Sequence, residues 1–196
     1  MGEIWLITGG VRAGKSRLAG ELASGWAAES GEGVTYLATA EAGDEEMTAR
    51  IASHQAARPA DWGLVEEPLA LADAVAQAGE GCLIVDCLTL WVSNRAFPEL
   101  RSEGAPSPQE VASMQDELLA ELEAAMAAMR KRQAPSIVVT NEVGLGVIAE
   151  DAAVRAYGDL LGAVNASMAG VAERVYLCVA GLAMELKSMG ARGVGE

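Results

Sequence analysis

The start of the chain carries the stretch Gly9-Gly10-Val11-Arg12-Ala13-Gly14-Lys15-Ser16, which follows the G-x-x-x-x-G-K-S pattern of a phosphate-binding loop. Its glycines allow a tight backbone turn in which successive N–H groups point at phosphate oxygens. The apolar residues 4–8 before it are typical of a strand, and residues 15–29 after it are typical of a helix. This context predicts a nucleotide site in which Lys15 adds a mobile positive charge and Ser16 ligates Mg²⁺.

Short apolar segments and helical patterns alternate along the rest of the chain. Further strands are predicted at residues 34–39, 64–65, 82–86, 136–140 and 175–179, and further helices at 44–58, 69–78, 108–132 and 152–172, with a loop over 97–108. Strands separated by helices favour a parallel sheet. We therefore predict an α/β, P-loop NTPase-like three-layer fold, in which helices cover both faces of a mainly parallel sheet, and a single domain over residues 1–196.

The composition excludes several classes of protein. Hydrophobic residues make up 51% of the chain and charged residues 21%, so a large core is available and a disordered chain is excluded. A formal net charge of −14 repels nucleic-acid phosphates and anionic lipids. No apolar run approaches the roughly 20 residues of a membrane span, and no basic segment opens the chain. We expect a cytoplasmic protein that binds neither nucleic acid nor a membrane.

The thiols fit the same expectation. Cys82, Cys87 and Cys178 lie in or beside apolar segments and lack C-x-x-C spacing. Cysteines in such surroundings are typically buried and reduced, so neither a disulfide nor a thiolate metal site is expected.

Two side chains outside the loop have the chemistry of a nucleotide-transferring site. Asp86 ends an apolar strand that we place beside the phosphate loop, where a carboxylate can ligate the Mg²⁺ of a bound nucleotide. His54, the only histidine, shares one face of the predicted helix with Arg58, and Arg50 lies one turn before it. His54 is either a structural residue at the edge of an apolar face or a nucleophile, since a neutral imidazole can attack phosphorus.

Taken together, these residues resemble the bifunctional adenosylcobinamide kinase / adenosylcobinamide-phosphate guanylyltransferase family of cobalamin biosynthesis. That family has the loop G-G-A-R-S-G-K-S, which appears here at residues 9–16. The resemblance covers essentially the whole chain, and its further matches are Tyr36-Leu37-Ala38-Thr39, Asp44-Glu45-Glu46-Met47, Arg50-Ile51 followed by His54, Arg58-Pro59 with Trp62, Val85-Asp86-Cys87-Leu88-Thr89-Leu90-Trp91-Val92-Ser93-Asn94, Asn141-Glu142-Val143-Gly144-Leu145-Gly146, and Ala180-Gly181-Leu182 before Lys187.

The resemblance implies two reactions at one nucleotide site. ATP or GTP first phosphorylates the aminopropanol hydroxyl of adenosylcobinamide, and GTP then guanylylates a histidine, from which GMP passes to adenosylcobinamide phosphate. The histidine corresponds to His54, Mg²⁺ is implied as the cofactor, and the family precedent is a homotrimer. The nucleotide contacts carried over are Gly9 through Ser16, Thr39, Ala40, Glu41, Gln55, Ala56, Ala57, Arg58, Glu66 and Asp86.

Three positions depart from the family pattern. Val11 and Ala13 replace alanine and serine in the loop, where backbone N–H groups are expected to do the binding. Ala149 stands where the family usually has proline, so that loop is expected to be less rigid.

Two other functions remain open from the residues themselves. A simple P-loop kinase acting on a small alcohol would use the loop and Asp86 but leave His54 without a role. A GTP-dependent regulatory module would have an N-K-x-D guanine motif, which Thr140-Asn141-Glu142-Val143 does not match.

Overall fold

The computed structural model describes residues 2–41, 45, 48–49, 55, 58–100 and 105–193, apart from the side chain of residue 99. The strands in this part of the chain are β1 (Ile4–Gly9), β2 (Val34–Ala38), β3 (Gly63–Glu66), β4 (Cys82–Asp86), β5 (Ser136–Val139), β6 (Arg174–Val179) and β7 (Leu182–Glu185). The helices are α1 (Lys15–Ser30), α2 (Leu71–Gln77), α3 (Leu88–Leu100), α4 (Pro108–Lys131) and α5 (Ala152–Val171). None of the helices described is long and apolar enough to cross a bilayer.

The seven strands form one sheet in the order β3-β2-β4-β5-β1-β6-β7. Every neighbouring pair is parallel except β6 and β7, which are antiparallel. The predicted α/β fold with a mainly parallel sheet is therefore confirmed. The strand carrying Asp86 is not the immediate neighbour of β1, however, because β5 lies between them.

Side-chain alternation along the strands divides the core into two layers. Ile4 and Leu6 of β1 belong to a cluster with α2, α3, α4 and α5, whereas Trp5 and Ile7 belong to a cluster with α1 on the opposite face. Helices thus cover both faces, as predicted. The long helix α4 supplies part of the first cluster, with these residues buried: Met114, Leu118, Leu122, Ala125, Met126 and Met129.

The parallel strands bring their carboxyl ends to one edge of the sheet. The register places Ala38 opposite Asp86 and Asp86 opposite Val139, and β1 ends nearby at Gly9. Ligands of open α/β sheets bind at this edge, beyond the strand ends.

Two elements were not among the predicted helices and strands, namely the helix α3 and the strand β7. The predicted loop over 97–108 is wrong in its first part, because α3 continues through Pro98 to Leu100. Burial of Trp91 and Leu100, together with stacking of Phe97 on Tyr157 at 5.0 Å, stabilises this helix despite the proline. The strand β7 was not predicted either, since it has only four residues and three of them are exposed. The predicted helix over 44–58 lies largely outside the described residues.

Candidate active site

The phosphate loop turns sharply because two of its glycines adopt positive φ angles. Gly9 has φ +141° and Gly14 has φ +97°. A Cβ on Gly9 would lie 2.1 Å from the carbonyl oxygen of Cys178, so only glycine lets β6 approach β1 so closely here. The carbonyl of Gly9 accepts the N–H of Glu142 at 3.2 Å, which fixes the segment after β5 against the loop.

Lys15 begins α1 and its ammonium group turns back over the loop. Its side chain is buried, and Nζ donates to the carbonyl oxygen of Gly10 at 2.7 Å. Burial lowers the pKa of Lys15, while charge interactions with Cys87 and Asp86 act in the opposite direction. The loop therefore holds a partly desolvated cation where a phosphate group would bind.

A cavity of about 470 Å³ opens above the loop. Among the predicted site residues, it is lined by Val11, Arg12, Ala13, Gly14, Lys15, Ser16, Ala40, Gln55, Arg58, Glu66 and Asp86. Four other predicted residues do not line it, namely Gly9, Gly10, Thr39 and Glu41. His54, Ala56 and Ala57 lie outside the described residues. The structure thus brings the loop, Asp86, Arg58 and Glu66 to one cavity.

Thr39 has a structural position beneath the cavity. Its hydroxyl donates to the carbonyl of Cys87 at 2.7 Å and accepts the N–H of the same residue at 2.9 Å. Asn94 of α3 donates to the carbonyls of Thr39 at 2.8 Å and Pro68 at 3.2 Å. These bonds hold the ends of β2 and β4 together, and the fully buried Thr39 side chain is not available to a ligand in this arrangement.

Asp86 is oriented by a neighbouring phenol. The Tyr36 hydroxyl donates to Oδ2 of Asp86 at 2.6 Å, and the guanidinium carbon of Arg58 lies 4.4 Å from the centroid of the Tyr36 ring. Burial, followed by the charge of Asp86 and this hydrogen bond, strongly raises the pKa of Tyr36, so the phenol is a proton donor at neutral pH. Two further residues of the cavity lining are bonded to each other, since the Gln55 amide donates to the Glu66 carboxylate at 3.4 Å.

A buried polar network positions Asn141, which also lines the cavity. The N–H of Asn141 donates to the Thr89 hydroxyl at 2.7 Å, and its carbonyl accepts from the Asn165 amide at 3.0 Å. The Thr140 hydroxyl donates to Asn165 Oδ1 at 2.7 Å. Because these buried polar groups are hydrogen-bonded to one another, they hold the segment after β5 in a defined position.

The cavity also contains residues that the sequence analysis did not assign to the site. They are Arg17, Tyr36, Ala38, Cys87, Leu90, Val139 and Asn141. Several of them stand at or just beyond the carboxyl ends of β2, β4 and β5. The rule that ligands bind at these ends could have identified them once the strands were assigned.

The oxygen donors at the cavity fit a magnesium ion bound together with a nucleotide. Ser16 offers a hydroxyl and Asp86 a carboxylate, both of which line the cavity. Mg²⁺ prefers oxygen ligands and commonly takes one or two from protein, with the rest from phosphates and water. Within the residues that the structure describes, no cluster of three or more His, Cys, Asp or Glu side chains forms an all-protein metal cage.

All three cysteines are buried and free, as predicted. Burial raises the pKa of both Cys82 and Cys87 to about 12, and it also raises the pKa of Cys178. The thiols are therefore protonated and act as small apolar side chains at neutral pH.

Comparison with known proteins agrees with this geometry. Residues 5–186 match the family described as cobinamide kinase / cobinamide phosphate guanyltransferase. The bifunctional adenosylcobalamin biosynthesis protein CobP of Pseudomonas aeruginosa is 46% identical over 185 residues, which cover 93% of this chain and 96% of that protein. The proteins named CobU of Salmonella typhimurium and Escherichia coli are 36% and 34% identical, and each alignment covers 93% of this chain and 98% of the relative.

These matches extend over nearly the whole described sheet, from β1 to β7. They support the resemblance seen in the sequence and favour two activities over a simple kinase or a regulatory module. The chain belongs to the cobinamide kinase / cobinamide phosphate guanyltransferase family.

Proposed function

We propose that this chain phosphorylates adenosylcobinamide with ATP or GTP and then transfers GMP from GTP to adenosylcobinamide phosphate, giving adenosylcobinamide-GDP. The observation that carries the proposal is the cavity that Lys15, Ser16 and Asp86 share, in a chain of this family. One phosphate-binding cavity suits both reactions, because each begins with a nucleoside triphosphate.

In the kinase reaction, the substrate hydroxyl oxygen attacks the γ-phosphorus in line. The bond to the β-phosphate oxygen breaks, the nucleoside diphosphate leaves and the hydroxyl proton is released. The loop N–H groups and Lys15 stabilise the charge that spreads over the phosphate oxygens. No protein nucleophile is required. When bound, Mg²⁺ would neutralise charge on the phosphates, and Ser16 and Asp86 are the residues that would hold it.

In the guanylyl transfer, the proposed nucleophile is His54. Its imidazole nitrogen attacks the α-phosphorus of GTP, and pyrophosphate leaves as the phosphorus–nitrogen bond forms. A phosphate oxygen of adenosylcobinamide phosphate then attacks the same phosphorus, and the imidazole is released. The proposal is supported by Gln55, which follows His54 in the chain and lines the cavity, and by Arg58, a cation on the cavity wall.

The remaining nucleotide contacts belong to the same proposal. Thr39 and Glu41 do not line the cavity here, so their contact with GTP would require a rearrangement on binding. Glu66 is available to a base or ribose. We further propose that residues 1–196 act as one domain, that three copies assemble and that the enzyme works in the cytoplasm. Sedimentation equilibrium of the purified chain tests the trimer, which a monomer mass would exclude.

The two activities are tested together by a time course. The purified chain is incubated with adenosylcobinamide, GTP and Mg²⁺, and the corrinoids are separated by chromatography. Adenosylcobinamide phosphate should appear first and adenosylcobinamide-GDP afterwards. ATP alone should support only the first product. Formation of the phosphate but never of the GDP derivative would contradict the proposal and favour a simple kinase.

A further inference from the structure

Tyr36 contacts two charged residues of the cavity through two different parts of its side chain. Its hydroxyl donates to Oδ2 of Asp86 at 2.6 Å, and the guanidinium carbon of Arg58 lies 4.4 Å from the centroid of its ring. All three residues line the cavity. Among the residues that the structure describes, Tyr36 therefore connects Asp86 with Arg58. It donates a hydrogen bond to Asp86, and its ring contacts the Arg58 guanidinium.

The sheet itself fixes this bridge. Tyr36 lies opposite Ile84 in the pairing of β2 and β4, so Asp86 is its diagonal neighbour on the same face. Only 8% of Tyr36 is exposed, and its ring packs in the core layer that α1 covers. A ring held by packing keeps its hydroxyl at one place without further loss of side-chain entropy.

We propose that Tyr36 is a positioning residue for both transfer reactions, in which its hydroxyl orients the Asp86 carboxylate and its ring orients the Arg58 guanidinium toward the same bound nucleotide. The inference rests on the proposed function in one respect, namely that a nucleotide with its metal ion occupies this cavity.

The hydrogen bond from the Tyr36 hydroxyl engages an Asp86 oxygen that would otherwise be free to approach Lys15. The two charges interact electrostatically across the cavity, and the Lys15 ammonium is at present bonded to the Gly10 carbonyl. A carboxylate released from Tyr36 can turn toward this cation, and an ion pair between them would withdraw both groups from the nucleotide. With Oδ2 bonded to Tyr36, the second carboxylate oxygen stays available as a metal ligand.

The ring has a separate effect on Arg58. A guanidinium stacked on an aromatic face is held in a plane while its N–H groups remain free to bind phosphate oxygens. Removing only the hydroxyl should therefore change the dependence on Mg²⁺, whereas removing the ring should also weaken the binding of nucleotide without metal.

The test compares Tyr36→Phe, which keeps the ring, with Tyr36→Leu, which removes it. Tyr176→Phe is the matched control, because Tyr176 lies on β6 and does not line the cavity. GTP binding is measured by titration calorimetry at a series of Mg²⁺ concentrations. Mg²⁺ is expected to increase the affinity for GTP. Tyr36→Phe should raise the Mg²⁺ concentration that gives half of this increase by about three- to tenfold, and the affinity for metal-free GTP should stay unchanged. Tyr36→Leu should also weaken metal-free GTP binding by about threefold or more.

Double-mutant cycles separate positioning from a merely structural role. In an Asp86→Asn background, adding Tyr36→Phe should cause no further shift in the Mg²⁺ dependence, because the group through which Tyr36 acts is already changed. An equal shift in both backgrounds, or none in the parent, would overturn the proposal.

If Tyr36→Leu folds poorly, Arg58→Lys replaces it, since lysine keeps the charge but lacks the planar group. Metal-free GTP binding as tight as the parent's in Arg58→Lys would overturn the role of the ring.

The outcome is distinguishable from failure of the proposed function. A parent that shows these binding dependences but makes no adenosylcobinamide-GDP supports the role of Tyr36 and contradicts the guanylyltransferase proposal. A parent that binds GTP without any effect of Mg²⁺ overturns the positioning role, whatever products it forms.

Discussion

Gly9→Ala should damage both stability and nucleotide binding, because a Cβ on Gly9 would clash with the backbone of Cys178 in β6. The added Cβ would lie 2.1 Å from the Cys178 carbonyl oxygen, and the two must separate by nearly 1 Å to reach even the tight contact distance of 3.0 Å. The φ angle of +141° adds backbone strain for any residue with a side chain. Overpacking and strain together should cost about 2–4 kcal/mol of unfolding free energy.

For a chain of this size, that loss corresponds to a melting temperature lower by about 5–15 °C. A phosphate loop displaced by about 1 Å should also lose roughly 100-fold in the rate of either transfer. Chemical denaturation and steady-state kinetics measure the two effects. Gly10→Ala is the stability control, since no atom lies within 4 Å of a Cβ at that position and its φ is not positive. If Gly9→Ala is as stable as Gly10→Ala, the steric argument is wrong.

Three further predictions concern the charge, the metal and the thiols of the site. Lys15→Ala should slow both transfers by about 10²–10³-fold because the buried cation at the phosphates is lost, whereas Lys131→Ala at the end of α4 should match the parent in the same assays. Asp86→Asn should raise the Mg²⁺ concentration needed for half-maximal activity and leave the melting temperature close to the parent's. The control is Asp159→Asn on the exposed face of α5. An unchanged Mg²⁺ requirement in Asp86→Asn would assign the metal to another carboxylate such as Glu142. Because burial raises the pKa of Cys82, Cys87 and Cys178, a thiol reagent at pH 8 should label none of them in the native protein and all three after unfolding, as mass spectrometry would detect; rapid native labelling would contradict their burial.

The sequence was sufficient to predict the fold where local pattern and tertiary structure agree. The phosphate loop has a specific motif, the strand ending at Asp86 is a short continuous apolar run, and α4 begins at a proline and ends in basic residues. By contrast, α3 contains Pro98, a local signal against a helix, and its extent depends on burial of residues such as Trp91 and Leu100. Such long-range packing is not visible in a single sequence.

The candidate site was predictable to a similar extent. The loop residues and Asp86 were assigned because their pattern and context along the chain are themselves the signal. Thr39, Ala40, Glu41, Gln55 and Glu66 were instead carried over from the family resemblance. Tyr36 and Asn141 were not assigned, since their importance follows from contacts across 50 and 24 residues of sequence with Asp86 and Asn165. The same distinction explains Thr39. This residue directly precedes Ala40, which lines the cavity, but its own side chain is fully buried and hydrogen-bonded to Cys87. Contacts between residues that are distant in sequence decide such roles, and a single sequence does not reveal them.

The covalent role of His54 is the central claim, and one labelling experiment tests it most directly. The parent and His54→Ala are incubated with α-labelled GTP and Mg²⁺ without acceptor, and the protein is digested for mass spectrometry. The parent should carry GMP on the peptide spanning residues 51–58, through a bond that is cleaved in acid and survives alkali, as expected for a phosphorus–nitrogen bond to imidazole. Lys15 could form a bond of similar acid lability, so the mapped position decides. On addition of adenosylcobinamide phosphate, the label should move to adenosylcobinamide-GDP. His54→Ala should acquire no label while still phosphorylating adenosylcobinamide; labelling of this variant, or GDP-product formation at the parent's rate, would contradict the mechanism.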